Sequence, residues 1–184
     1  MSIDTRYMFN DGPTVTEILI SGYSLVYKDD RYFLYKKQVP VRYTKALLSK
    51  KTSHRFLQWF DVPQTAVSDI LRARIDIRKN VTGAIKSEFF KGEGFHVSME
   101  LEDGQIVDHK IIPVTARDGI WVNPFIQKPG NNIVEPRVKR LRVFCTDTAH
   151  VQPEFDVQFE KIDFGGYDYL RHFFGKEKDT LSVQ

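Results

Sequence analysis

LRARIDIRK, residues 71–79, decides the fold class. Leu71, Ala73, Ile75 and Ile77 alternate with Arg72, Arg74, Asp76 and Arg78. A period of two puts one set on a buried face and the other in water, the pattern of a half-buried β-strand. The same alternation recurs downstream. FHVSMELED (95–103) sets Phe95, Val97, Met99 and Leu101 against His96, Ser98, Glu100 and Glu102. AIKSEFF (84–90) gathers Ile85, Ser87 and Phe89 on one side. RVKRLRVFC (137–145) turns Leu141, Val143 and Cys145 inward. EFDVQFEKIDF (154–164) alternates Phe155, Val157 and Phe159 before Ile162 and Phe164. A turn at Asp103-Gly104 makes IVDHKIIPV (106–114) the hairpin partner of 95–103.

Turn residues separate these runs, and no stretch between them has the length of a helical crossover. Antiparallel pairing follows, and with it a mainly β fold, an antiparallel β-sandwich over residues 62–165. Residues 1–61 read as an N-terminal extension. Within it YSLVYKDDRYFLYKK (23–37) forms a β-hairpin about Asp29-Asp30. Residues 41–60 are open between helix and irregular strand, because the apolar spacing is broken and no cap precedes it. Residues 166–184 form a C-terminal segment. Its aromatic first half, GGYDYLRHFF, can dock, and its last ten residues read as disordered.

Composition narrows the function classes. The chain has 184 residues, 41% of them hydrophobic and 13% aromatic, so it can bury a core and is not of disordered type. A formal charge of +3 is too mild to indicate a nucleic-acid binder, and no RNP-like or helix-turn-helix motif is present. The single cysteine, Cys145, excludes an intrachain disulfide, and the five histidines show no zinc spacing. Neither metal nor cofactor is expected. No apolar run approaches the ~18 residues of a membrane span. MSIDTRYMFNDGP lacks the apolar core of a signal peptide.

Several residue groups admit a chemical reading. In DGIWVNPFI (118–126), Trp121, Asn123 and Phe125 are two apart and expected on one side of a strand. Exposed, they would offer a sugar-stacking ring and a hydrogen-bonding amide. Buried, they are core, and this is the preferred reading, since aromatics contribute most by burial. Asn123-Pro124 then ends the ladder before the loop QKPGNNIVEP (127–136). Trp59 is a further candidate ligand contact, with His54 and Asp61 near it in sequence as an acid/base pair lacking a nucleophile. His96 and His109, on hairpin partners, could meet with Glu100 or Asp108 about a metal, but a solvated sheet face explains them as well. Lys36 to Arg55 holds seven cations and no acid. With Arg72, Arg74, Arg78, Arg137, Lys139, Arg140 and Arg142 these could form a positive face for an anionic glycan, phospholipid headgroups or nucleic acid, the last without a supporting motif. The plainer alternative is a solvated face with protected edges.

The succession ILRARIDIR, GAIKSEFFK, DGIWVNPFI, RVKRLRVFC and FDVQFEKIDF resembles the β-domain of bacterial polytopic membrane proteins, including glycosyltransferase-like ones. The hairpin GYSLVYKDDRYFLYKK is similar to one that ends their outer part. The resemblance spans residues 20–165 and carries no catalytic residue. It implies a jelly-roll-like sandwich on the extracytoplasmic side. The resulting expectation is a non-catalytic module, an accessory or glycan-contacting domain of a bacterial membrane-associated protein. The alternatives are a small carbohydrate-active enzyme with paired carboxylates in a sheet cleft, and a structural protein-interaction domain.

Overall fold

The computed structural model describes residues 12–29, 32–81, 94–126 and 136–175. The strand AIKSEFF, most of the loop QKPGNNIVEP and the tail after Gly175 lie outside the described residues.

The alternating stretch becomes β6 (Ile70–Asp76), which pairs with β11 (Glu154–Asp163) on one side and β9 (Ile120–Asn123) on the other. Along the far edge of β11, β3 (Thr44–Leu47) meets residues 160–163 and β4 (Thr52–Arg55) meets residues 154–157. These five strands form one antiparallel sheet. The other has four strands in the order β5 (Trp59–Asp61), β10 (Val138–Cys145), β7 (Phe95–Leu101), β8 (Ile106–Ile111). The two sheets pack as a β-sandwich. Leu71, Ala73, Ile75, Phe155, Val157 and Phe159 of one sheet, with Phe60, Leu141, Val143, Val97, Met99 and Leu101 of the other, are buried in a single core. One face of each strand is apolar, so closing two such faces removes both from water at once.

The undecided stretch 41–60 is strand, not helix. β3, β4 and β5 are short edge strands, and all four β3 residues are exposed. An edge strand without a buried side shows no alternation, which is why its sequence looked irregular. Because these strands pair into both sheets, the sandwich begins before residue 62, inside the segment read as an extension.

The hairpin forms as β1 (Tyr23–Lys28) and β2 (Phe33–Lys37). A helix precedes it that the sequence reading lacked, α1 (Pro13–Gly22), with proline at its first position. Its pattern is partly inverted, since Glu17 is buried together with Ile20 while Val15, Ile18 and Leu19 are exposed. A second short helix, α2 (Pro113–Asp118), starts within the stretch read as strand 106–114 and carries the chain from β8 to β9.

The outer side of the five-stranded sheet is apolar at one end. In β11 the buried positions change parity after Phe159, so Ile162 and Phe164 belong to the outer face. Tyr43 and Tyr169 pack on Phe164 at ring separations of 5.2 and 5.1 Å. The C-terminal segment buries Tyr169, Phe173 and Phe174 and meets the hairpin through a Tyr35–Phe173 stack.

Candidate functional site

Trp121, Asn123 and Phe125 are all buried, so none of them is a surface sugar platform. Trp121 Nε1 donates to the Pro124 carbonyl at 2.6 Å, beside a cis Asn123-Pro124 peptide. Asn123 bridges the sheets. Its Nδ2 donates to the Val138 carbonyl at 3.2 Å, and its Oδ1 accepts from Val138 N at 2.8 Å. Burial is the preferred sequence reading of these residues, but the expectation that the three share a side fails. A register shift pairs Trp121 with Arg72 but Asn123 with Leu71, and these two neighbours face opposite sides of β6.

The positive face does not form as expected. Arg72 and Arg74 belong to the five-stranded sheet, whereas Arg140 and Arg142 stand on the outer side of the four-stranded one. Arg72 is not wet at all, being only 5% exposed. It pairs with Glu17 of α1 and with Glu160 Oε2 of β11 at 3.4 Å, and it donates to the Asp118 carbonyl. Lys45 and Tyr43 add contacts to Glu17 at 2.6 and 2.9 Å. A buried guanidinium needs such partners, and they bind α1 to the sheet. Gly119 has φ +112°, and a Cβ there would stand 2.9 Å from Arg72 Nε. Arg137 donates to Thr65 O and Thr65 Oγ1 at 2.6 and 2.9 Å, holding the β5–β6 connection. Arg74 is exposed and reaches the Arg117 carbonyl at 3.4 Å, and Lys139 is exposed.

The histidine readings separate likewise. His96 pairs with Lys110 and His109 with Val97, so the two rings lie on opposite faces of one sheet. No group of three metal-binding side chains occurs among the described residues. His54 stacks on Phe60 at 4.4 Å, and burial lowers its pKa. Its Nε2 lies 2.9 Å from Thr52 Oγ1, while Asp61 lies exposed on a strand of the other sheet.

Asp76 and Asp156 do pair across β6 and β11. Lys51 lies 3.2 Å from each, Arg78 contacts both, and Arg117 reaches Asp76 at 3.2 Å. A hydrogen bond from Ser53, then Lys51 and Arg78, lowers the pKa of Asp156. At Asp76 burial opposes ionisation but is outweighed by Lys51, Arg117 and Arg78, and the pKa is again lowered. Both carboxyls are held ionised, so neither member of this pair stores the proton a general acid must deliver.

One outer face does bring sequence candidates together. Pairing aligns Trp59 of β5, Arg142 of β10, Ser98 of β7 and Asp108 of β8 in one row. The next row on that face is Asp61, Arg140, Glu100 and Ile106, and on the other side Phe144, His96 and Lys110 follow. The intervening residues Phe60, Leu141, Val143, Met99 and Val97 face the core, so alternation fixes this face outward. Trp59, read with the sugar contacts, and Arg140 and Arg142, read with the cations, are thus neighbours.

The guanidinium of Arg142 lies 4.6 Å from the Trp59 ring centroid and that of Arg140 lies 5.5 Å from it. The His96 ring stacks on Phe144 at 4.9 Å with an 11° interplanar angle. Arg140 is neutralised by Glu100, with contacts of 2.9 and 2.5 Å. Arg142 is not. It donates to the fully buried Ser98 at 3.2 Å, its Nε is buried without a hydrogen-bond partner, and no carboxylate pairs with it among the described residues. A half-buried guanidinium without a counter-charge has donors left for an anion. His96, Ser98 and Phe144 were legible only as members of alternating strands, since their place beside Arg142 depends on β7–β10 register.

No protein-family model matches the chain, and no curated protein or solved structure is significantly similar to it.

Proposed function

We propose that the chain is a non-catalytic β-sandwich module that contacts an acidic glycan through the Trp59–Arg142 face. The observation that carries this reading is Arg142, a guanidinium fixed on an indole ring and a buried serine without a carboxylate partner among the described residues. A uronate or similar group would receive its free N–H donors, while Trp59, Phe144 and His96 offer apolar ring surface to the sugar. Asp61, Glu100 and Asp108 surround the cations. They disfavour a dense polyanion such as nucleic acid and leave room for isolated negative groups on a polar chain. The resemblance in sequence adds the setting of an accessory domain on the outer side of a bacterial membrane-associated protein.

Calorimetric titration with uronate-bearing and neutral oligosaccharides tests the reading. Acidic oligosaccharides bind and neutral ones do not. Arg142→Gln weakens binding about 10- to 100-fold, the range of a charged hydrogen bond, at a nearly unchanged melting temperature. Equal binding of both sugar classes, no binding of either, or an Arg142→Gln variant of full affinity overturns it.

A further inference from the structure

We propose that the outer side of the N-terminal β-hairpin is a contact surface for an anionic lipid bilayer. The surface is separate from the Trp59–Arg142 face. In the hairpin Leu25 pairs with Tyr35, and Tyr27 with Leu34. Tyr35 and Leu34 are consecutive and therefore face opposite sides. Tyr35 marks the docked side, since its ring stacks on the buried Phe173 at 4.7 Å. The other side carries Tyr27 and Leu34, with Tyr32 two residues before Leu34; they are 56%, 58% and 68% exposed. Single exposed apolar residues need no explanation, but three large ones on one side of a two-stranded ribbon do.

Charge selects the occupant. Lys36 stands two residues beyond Leu34, on the same side; Lys37, on the side of Tyr35, and Arg42 follow at the base of the hairpin. All three are exposed, and none has a carboxylate partner among the described residues. Several cations in and beside the five-stranded sheet behave otherwise: Lys51, Arg55, Arg78 and Arg117 each meet Asp76, Asp156 or Glu154. Positive charge without a carboxylate partner among the described residues therefore stands beside the exposed apolar residues. Tyrosine and lysine both join an apolar body to a polar tip, and such side chains flanking a leucine suit the boundary between headgroups and hydrocarbon. The lysines attract anionic headgroups, and Leu34 and the tyrosines give the contact its apolar area.

The full chain is sedimented with vesicles of phosphatidylcholine mixed with phosphatidylglycerol, and with vesicles of phosphatidylcholine alone. It sediments with the mixed vesicles, less at high salt, and stays in solution with the neutral ones. Lys36→Ala lowers partitioning about fivefold, Lys37→Ala, on the docked side at the base of the hairpin, lowers it less, and the pair lowers it further than Lys36→Ala alone. Leu34→Asp abolishes it without shifting the melting temperature, and Arg142→Gln leaves it unchanged. No sedimentation with mixed vesicles, equal sedimentation with neutral ones, or full binding by the lysine pair or Leu34→Asp overturns the proposal.

Discussion

Replacing Glu17 by leucine removes the charge that holds α1 to the five-stranded sheet. Glu17 and Arg72 are 3% and 5% exposed, so water does not screen their pairing. Removing one partner of a buried pair costs about 3–5 kcal/mol, because the other charge is left uncompensated. Here Glu160 stays 3.4 Å from Arg72 and the Asp118 carbonyl still accepts from it, which favours the lower end, about 3 kcal/mol. Lys45 adds little to this figure, since it is 40% exposed and remains solvated without Glu17. For a chain of this size each kcal/mol moves the melting temperature by roughly 2–4 °C, so a fall of roughly 6–12 °C is expected. Urea unfolding gives the free energy directly, and limited proteolysis reports new cleavage within α1. The triple variant Glu17→Leu/Arg72→Met/Glu160→Leu removes every charge of the buried cluster and should regain most of the loss. A Glu17→Leu cost below about 1 kcal/mol, the level of a surface ion pair, would refute the reasoning.

Trp121→Ala should destabilise by about 3–5 kcal/mol, and Trp121→Phe by about 1–3 kcal/mol, because it keeps most of the burial but strands the Pro124 carbonyl. An unchanged thermal melt of Trp121→Ala would return this residue to the surface. The lowered pKa values of Asp76 and Asp156 make their contribution complete above the ordinary aspartate value of 3.8 and lost as pH falls through the lowered folded values. Urea midpoints measured against pH should therefore drop on that acid limb, less steeply in Asp156→Asn, and an identical limb in the variant would contradict the network.

The alternation of β6, β7, β10 and β11 was legible because each central strand has one side in the core and one outside, so burial imposes a period of two on the residues themselves. It determined the fold class and the inward set Leu71, Ala73, Ile75, Val97, Met99, Leu141, Val143, Phe155 and Val157. The hairpin was equally legible, since its pairing is local. The edge strands β3 to β5 were not, because they are short and most of their residues are solvated, with Phe60 alone among them buried. Helix α1 was hidden by its partly inverted pattern, and Arg72 by its place in a polar series. Only packing decided that Glu17 and Glu160 meet that arginine in the dry layer under α1. The Trp59–Arg142 neighbourhood was undecidable from the chain alone for a related reason. Residues 59, 96, 98, 142 and 144 are far apart in sequence, and cross-strand register, set by the side chains each strand must bury, makes them one surface.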